Sequence, residues 1–210
     1  MDKTAYSIQM IRRLPRYYAI AEQVQDQGEG TISSTLIANY LNLEPIVVRK
    51  DLEQVGAEGK PRLGFDVNDL LHRIAGFMGW DQLNQIVLVG CGDLGSAIMG
   101  YAGFARRGFE FVAGFDVDEA KIGTTIHGKK VLPLSKFVNL CQRLHIELGI
   151  ITVPAAQAQS VADMMIEAGI RGIWNFSTAA LNVPKHILVQ QEDIITSLVI
   201  LQKRLQHANE

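Results

Sequence analysis

The fold of this 210-residue chain is decided by one stretch, Gln85-Ile86-Val87-Leu88-Val89-Gly90-Cys91-Gly92-Asp93-Leu94-Gly95-Ser96-Ala97. An apolar run leads into a Gly-x-Gly-x-x-Gly turn and then into a helix-forming segment, which places a dinucleotide pyrophosphate at a helix N-terminus. Gly90 permits the tight turn, Gly92 lets the backbone approach a phosphate, and Gly95 lets the helix pack closely on the strand. The expected cofactor-binding residues of this turn are Gly90, Cys91, Gly92, Asp93, Leu94 and Gly95.

Downstream of the glycine turn, predicted strands and helices alternate. We expect strands at 86–89, 109–115, 146–153 and 172–175, a short strand near 130–131, and helices at 94–105, 134–144 and 155–168. Such alternation is typical of a parallel sheet with helices on both faces. The sequence therefore predicts an α/β fold with a Rossmann-like parallel sheet.

An acidic residue, Asp116, ends the second of these strands about twenty residues beyond the glycine turn, where a carboxylate binds the adenosine ribose hydroxyls. Its charge repels a 2′-phosphate, so the sequence favours NAD over NADP, with Val117 next to Asp116 in the site. An adenine-nucleotide or coenzyme A fold with the same turn is the alternative.

Further candidates lie at the carboxyl ends of the later strands, because parallel sheets bind ligands at that edge. They are Val153, Pro154, Asn175 and Phe176. Asn175 could hydrogen-bond the cofactor and Phe176 could pack against it. The alternative is that both are strand-end and core residues.

The cysteines, Cys91 and Cys141, provide neither a disulfide framework nor zinc-ligand spacing, which suits a reducing cytoplasm. Cys91 lies inside the phosphate turn, where a helix N-terminus could lower its pKa and make it a redox thiol. The alternative is a plain small residue. No metal site is expected.

The residues before the glycine turn predict a small helical domain. Apolar spacing indicates a helix over 6–25, in which Pro15 either begins a shorter helix or causes a kink, and another helix over 67–78.

Two short helices between them predict a helix-turn-helix. Ser33 can cap a helix over 34–41, and Pro45 suits the first position of a helix that runs to about residue 55. In this motif the second helix enters the major groove of DNA. Helices of this kind are also common in all-helical domains, which is the alternative.

Positive charge gathers only locally in this domain. Residues 1–84 contain nine Lys or Arg and eleven Asp or Glu, and the whole chain has a net charge of −2, so composition gives no sign of nucleic-acid or membrane affinity. Arg49 and Lys50 are the exposed cations of the third helix, and the following loop, with Lys60 and Arg62, could be a wing near phosphates.

No run approaches the roughly 18 apolar residues of a membrane span, and the N-terminal residues do not begin a signal peptide. We therefore expect a cytoplasmic protein.

The final segment, Glu192 to His207, is apolar over too wide a face for an ordinary surface helix. Such a helix needs a partner surface. A second copy of the chain is one candidate, and docking within its own chain is the other.

An oxidoreductase needs a proton-transfer group beside the nicotinamide. The histidines of the nucleotide-binding half, His127, His145 and His186, fall in no recognisable acid-base pairing. An NAD-dependent oxidoreductase whose N-terminal helices bind a substrate or partner is nevertheless the alternative function.

Several motifs together resemble the Rex family of redox-sensing transcriptional repressors. In the N-terminal part these are Arg13-Leu14-Pro15-Arg16-Tyr17-Tyr18, Ser33-Ser34 and Val48-Arg49-Lys50-Asp51-Leu52. In the remainder they are the glycine turn, Tyr101, Phe115-Asp116-Val117-Asp118, Gly172-Ile173-Trp174-Asn175-Phe176 and the C-terminal helix.

The resemblance implies a winged-helix DNA-binding domain over 1–82, a Rossmann-like NAD(H)-binding domain over 83–188 and an exchanged dimerisation helix over 189–210. It implies a homodimer that binds a palindromic operator in double-stranded DNA and that NADH releases, whereas NAD⁺ permits binding. Tyr101 and Asp193 are then expected near the cofactor. The expected DNA-binding residues are Arg13, Arg16, Ser33, Ser34, Val48, Arg49, Lys50, Lys60 and Arg62.

The chain also departs from the family pattern. Ala19 replaces an arginine of the first helix, Glu53-Gln54-Val55 replaces Ser-Tyr-Phe after the recognition helix, and Arg62 replaces a wing glycine. These changes could alter operator preference or the coupling between cofactor and DNA.

Overall fold

The computed structural model describes residues 6–207, and the chain divides into two compact units whose boundary falls between Gln82 and Leu83. The first unit contains the helices α1 (Ile8–Asp26), α2 (Ser34–Leu41), α3 (Pro45–Gln54) and α4 (Val67–Met78), with the short strands β1 (Thr31–Ile32) and β2 (Phe65–Asp66). The two strands pair antiparallel. The bounds predicted for α2 and α4 are confirmed.

Helix α1 begins before Pro15 and continues past it, so, of the two alternatives for Pro15, the shorter helix is wrong. A proline inside a helix removes one backbone hydrogen bond. Buried side chains on both sides of Pro15 hold the helix in the core and offset that loss. They are Met10, Leu14, Tyr17, Ile20, Ala21 and Val24.

Local capping explains why α2 and α3 form. The Ser33 side chain accepts a hydrogen bond from the Leu36 amide at 3.0 Å, which confirms the predicted N-cap. Asn42 ends α2 in the left-handed conformation, with φ of 53°, and Pro45 is the first residue of α3. These signals place the turn of the helix-turn-helix between residues 42 and 44.

The wing loop that follows α3 closes on itself through Lys60 and Gly64, whose backbones exchange hydrogen bonds of 2.7 and 3.0 Å. Arg62 lies at its tip with a φ of 65°. This conformation favours glycine, so the arginine is held there at a conformational cost.

The second unit is built on a seven-stranded sheet of order β5-β6-β4-β3-β7-β8-β9. Its strands are β3 (Asn84–Val89), β4 (Phe109–Asp116), β5 (Thr125–Ile126), β6 (Lys129–Pro133), β7 (Leu148–Ile151), β8 (Gly172–Asn175) and β9 (Leu188–Gln191). All neighbouring pairs are parallel except β5 with β6. The predicted α/β fold with a parallel sheet is confirmed.

Helices cover both faces of this sheet, as a parallel sheet with apolar side chains on both faces requires. Val87 and Val89 of β3 pack in a cluster with α6 (Phe137–Leu144) and α7 (Ala155–Glu167), whereas Ile86 and Leu88 pack in the opposite cluster with α5 (Asp93–Gly100). Helix α5 ends five residues earlier than predicted, because the backbone turns extended at Tyr101. A 3₁₀ turn at Ala105–Arg107 follows.

Strand β9 was not predicted. It pairs with β8 at the edge of the sheet, and all four of its side chains are exposed. Its side chains therefore lack the alternation that marks a half-buried strand.

The last helix, α8 (Ile194–His207), has no buried residue. Its large apolar side chains are 46% to 67% exposed. They are Ile194, Ile195, Leu198, Val199, Ile200, Leu201 and Leu205. Within residues 6–207, no helix combines the length and hydrophobicity needed to cross a membrane.

Candidate functional site

A cavity of about 850 Å³ lies at the carboxyl ends of β3, β4, β7 and β8, beside the N-terminus of α5. Its volume falls within the roughly 300–1,000 Å³ of small-molecule sites. Nine of the residues predicted for the cofactor line it: Gly90, Gly92, Asp93, Leu94, Asp116, Val117, Val153, Pro154 and Phe176. Polar residues that were not predicted also line it: Lys121, Thr152, Gln157, Ser160, Ser177 and Thr178.

The glycine turn forms a cradle open to this cavity. A Cβ on Gly90 would lie 2.8 Å from the Thr152 carbonyl, and one on Gly95 would overlap the Gly90 carbonyl oxygen. A Cβ on Gly92 would meet nothing within 4 Å. Gly90 and Gly95 are therefore required by packing, whereas Gly92 leaves open space above the turn.

That open space faces the start of α5. Gly92 is its N-cap, and no side chain accepts a hydrogen bond there. The first amides of a helix lack intrahelical partners and favour anions. The cradle, the helix N-terminus and the cavity volume together fit a dinucleotide whose pyrophosphate lies over Gly92.

Asp116 ends β4 beneath the turn and is almost fully buried. Burial disfavours its charged form, but amide hydrogen bonds from Asp118 and Cys91 and the Lys121 ammonium together hold the pKa of Asp116 below its ordinary value. The carboxylate is therefore ionised at neutral pH and fastens the glycine turn to the loop after β4.

Lys121 contacts the Asp116 carboxylate at 3.3 Å and that of Asp118 at 3.7 Å. Partial burial lowers the pKa of Lys121, but the two acids raise it above the ordinary value. The sequence prediction did not include Lys121, which follows Asp116 by five positions.

Cys91 does not face the cavity. Its amide donates to Asp116 at 2.8 Å, and its thiol lies against the Phe115 carbonyl at 3.6 Å. Burial, with the Asp116 charge, raises the pKa of the Cys91 thiol to about 11. Burial and the Asp116 charge disfavour the thiolate at Cys91, which favours the small-residue alternative over a redox thiol.

Asn175 is fully buried behind the cavity wall. Its side-chain amide donates to the Ala179 carbonyl at 3.0 Å and to Gln191 at 2.8 Å, while its oxygen accepts the Ser177 amide at 3.0 Å. Asn175 therefore shapes the loop that carries Phe176, instead of lining the cavity itself.

Two other predicted residues lie outside the cavity. Tyr101 is 68% exposed and stacks edge-on against Phe104.

Asp193 precedes α8, where it accepts hydrogen bonds from the Thr196 hydroxyl and the Ile195 amide. These hydrogen bonds lower the pKa of Asp193. It lines a second cavity of about 720 Å³ that shares Phe176 and Thr178 with the first.

In the first unit, five predicted DNA-binding residues converge on one groove of about 460 Å³ between α2, α3 and the wing loop. They are Ser33, Ser34, Arg49, Lys60 and Arg62. Glu53 also lines this groove. Lys50 and Arg16 are exposed but do not line it, and Val48 is fully buried, so the structure assigns Val48 to the core.

Arg13 forms its hydrogen bonds with another residue of the protein, Asp51. Its guanidinium donates to both oxygens of Asp51 at 2.7 and 2.8 Å, and the Tyr17 hydroxyl donates to the same carboxylate at 2.7 Å. The Asp51 hydrogen bond and charge raise the pKa of Arg13 despite partial burial. Burial and the same carboxylate raise the pKa of Tyr17. Arg13 therefore connects α1 to α3. The sequence did not predict this role, because nothing in it distinguishes Asp51 from an exposed helix residue.

Among the His, Cys, Asp and Glu side chains of residues 6–207, no group of three or more could hold a metal ion.

Two family models match the chain. The family described as "CoA binding domain" covers residues 81–179, and the one described as "Putative DNA-binding protein N-terminus" covers residues 7–53. The first agrees with the fold of the second unit and the other with the helices that form the groove.

Curated relatives match over most of their length. The redox-sensing transcriptional repressor Rex of Treponema denticola is 38% identical over 91% of this chain and 91% of its own. That of Carboxydothermus hydrogenoformans is 39% identical over 91% of this chain and 92% of its own.

Solved structures also match this chain over almost its whole length. A crystal structure of RSP in complex with β-NAD⁺ and operator DNA is 30% identical, with a TM-score of 0.90 over 99% of this chain and 95% of that one. A structure of RSP, a Rex-family repressor, in complex with β-NADH has a TM-score of 0.87 at 29% identity over 99% of this chain and 97% of that one.

Proposed function

Because this chain belongs to the Rex family of redox-sensing transcriptional repressors, we propose that it represses transcription from an operator and senses the NADH/NAD⁺ ratio. The observation that carries the proposal is the presence, on one chain, of a dinucleotide cradle at Gly92 and a groove lined by cations beside α3. The RSP complex with β-NAD⁺ and operator DNA supports it.

Residues 1–82 form the DNA-binding domain. Helix α3 presents Arg49 and Lys50 to the major groove, while Lys60 and Arg62 of the wing loop lie against phosphates. Arg13 and Asp51 fix the orientation of α3 from behind.

Residues 83–188 bind NAD(H). The pyrophosphate lies over Gly92 at the start of α5, the adenosine ribose lies by Asp116 and Val117, and the nicotinamide lies by Val153, Pro154 and Phe176. Asn175 positions the loop that holds Phe176.

Residues 189–210 are the dimerisation segment. The apolar side chains of α8 that the chain itself leaves uncovered are packed against a second copy, giving a homodimer. A homodimer presents two copies of α3 to a palindromic operator with half-sites one helical turn, or a multiple of it, apart.

Sensing follows from the charge of the nicotinamide ring. The oxidised ring is cationic and the reduced ring is neutral, so an apolar wall such as Val153, Pro154 and Phe176 favours the reduced form. NADH then shifts the dimer towards a state that does not fit the operator, by no more than its difference in affinity for the two states. This is a binding function: the chain is a repressor and not an enzyme, and it acts in the cytoplasm.

The proposal is tested by measuring operator affinity with NADH, with NAD⁺ and without ligand. The operator is first selected from a random DNA pool, and binding is then followed by fluorescence anisotropy at fixed salt, since phosphate contacts make affinity salt-dependent. We expect NADH to weaken binding by at least about tenfold and NAD⁺ to leave it intact.

A matched pair of variants separates DNA contact from general charge effects. Lys50→Ala removes a cation of α3 and should abolish selective binding, whereas Lys136→Ala removes an exposed cation of the second unit and should not. Equal operator affinity under all three ligand conditions would refute the sensor mechanism.

A further inference from the structure

Helix α3 presents an exposed face that carries one large apolar side chain among charged ones. Four exposed residues follow the spacing i, i+3, i+4 and i+7, which places them along the same side of a helix. They are Ile46, Arg49, Lys50 and Glu53. The buried residues of α3 are Val48, Asp51 and Leu52. Ile46 is therefore the apolar member of the face that the cations share.

The side chain of Ile46 gains little from its own chain. It is 49% exposed and lies outside the apolar core that the described residues of the first unit form. Isoleucine is also a poorer helix former than alanine, because its branched side chain loses rotamer freedom. A residue that breaks a local rule without gaining burial is characteristic of a functional position.

The location of Ile46 suits contact with a base. Ile46 is the second residue of α3, and in a helix-turn-helix the N-terminal residues of the second helix reach the base edges in the major groove. Arg49, one turn later on the same face, lines the groove beside the wing loop. The major groove displays one apolar group, the C5-methyl of thymine. An isoleucine side chain forms no hydrogen bonds, so this methyl group is the feature that it can recognise.

We propose that Ile46 is a specificity-determining residue that contacts the C5-methyl group of a thymine in each operator half-site. The inference rests on the proposed function, since it needs α3 in the major groove. Ile46 and Glu53 are seven residues apart, about 10 Å along the helix axis, so they contact different base pairs. Burial of a methyl group strengthens binding about fourfold for each half-site.

The test replaces the thymines of one half-site of the selected operator, one at a time, by deoxyuridine, which lacks only the C5-methyl group. Operator affinity of the full chain is measured by fluorescence anisotropy at fixed salt. For the wild type, we expect one of these replacements to weaken binding about fourfold through Ile46. In Ile46→Ala the same replacement should have no further effect, because the shortened side chain no longer reaches the methyl group. This double-mutant cycle isolates the contact from other effects of either change.

Two variants serve as controls. Ile46→Val keeps a branched apolar side chain and should retain the deoxyuridine effect to within about twofold. Ile8→Ala removes a 68% exposed isoleucine from the first turn of α1 and should leave the effect unchanged. Circular dichroism and thermal midpoints establish that each variant is folded. Ile46→Gln provides the same comparison where the alanine variant does not fold.

The two proposals fail in distinguishable ways. If the wild type selects an operator but every deoxyuridine replacement has the same effect on the wild type and on Ile46→Ala, the role of Ile46 is overturned and the repressor function stands. A wild-type protein that selects no DNA sequence overturns the proposed function, and the inference with it.

Discussion

The guanidinium of Arg13 and the carboxylate of Asp51 form a two-pronged ion pair, with N–O distances of 2.7 and 2.8 Å, between α1 and the helix that carries Arg49 and Lys50. Asp51 is only 4% exposed. Planar pairs of this kind add geometric specificity to their electrostatic attraction. The position of α3 is therefore fixed by an ion pair whose carboxylate is buried inside the protein.

We expect Asp51→Ala to lower the free energy of unfolding by about 3 kcal/mol, because Arg13 and Tyr17 lose their shared acceptor. Urea denaturation followed by circular dichroism measures this. Asp69→Ala is the control: Asp69 pairs with Arg73 on the exposed side of α4, and its loss should cost less than about 1 kcal/mol. Equal losses would contradict a special role for Asp51.

Glu53 places a negative charge in the groove that Arg49, Lys60 and Arg62 line. Carboxylates accept from the N4 amino group of cytosine in the major groove. We expect Glu53→Gln to bind random DNA more tightly, because a repulsion from phosphates is lost, and to lose a cytosine preference at one operator position. Glu58→Gln, an exposed acid that does not line the groove, is the control. Identical selected sequences for the wild type and Glu53→Gln would refute this role.

Gly92 and Gly95 should respond differently to the same substitution. A methyl group at Gly95 overlaps the Gly90 carbonyl, so Gly95→Ala should destabilise the protein by about 1–3 kcal/mol. Gly92→Ala has room and should keep the thermal midpoint while weakening NADH binding, because the methyl group occupies the space above the helix N-terminus. If a folded Gly92→Ala protein bound NADH as tightly as the wild type, the proposed position of the pyrophosphate over Gly92 would be wrong.

Both thiols are buried, and burial raises the pKa of Cys91 and of Cys141 to about 11. A thiol whose pKa is higher in the folded state contributes stability below its unfolded pKa of 9.0, and this contribution is lost as pH rises towards about 11. In Cys141→Ser, we expect Cys91 to be unreactive towards a thiol reagent at pH 8 until urea unfolds the chain. Rapid labelling of the native protein would revive the redox-thiol hypothesis.

The sequence predicted those elements whose signals are local. Ser33 caps α2 through its own side chain, and α4 begins after the Asp66 cap and ends at Gly79 in the left-handed conformation. The glycine turn and Asp116 were also predicted from local signals. The glycines are needed where a side chain would clash, and Asp116 directly follows the second strand of the sheet unit, so both could be recognised without knowing the packing. These local sequence signals were therefore sufficient to predict where the cavity lies.

What escaped prediction depends on residues that are distant in sequence. Arg13 and Asp51 are 38 positions apart, and only packing shows that the arginine bonds a buried acid instead of a phosphate. Asn175 looked like a ligand contact until its bond with Gln191 of β9 placed it behind the wall. Strand β9 has no buried side chain, so its sequence lacks the alternation of apolar and polar residues by which a strand is predicted.

In the proposed homodimer, the exposure of α8 makes the concentration of the chain itself a regulatory variable. Since no side chain of α8 is buried within its own chain, the species that carries two copies of α3 forms by mass action. Where most chains are single, the concentration of that species rises with the square of the chain concentration. Operator occupancy in the proposed mechanism then depends on expression level as well as on NADH.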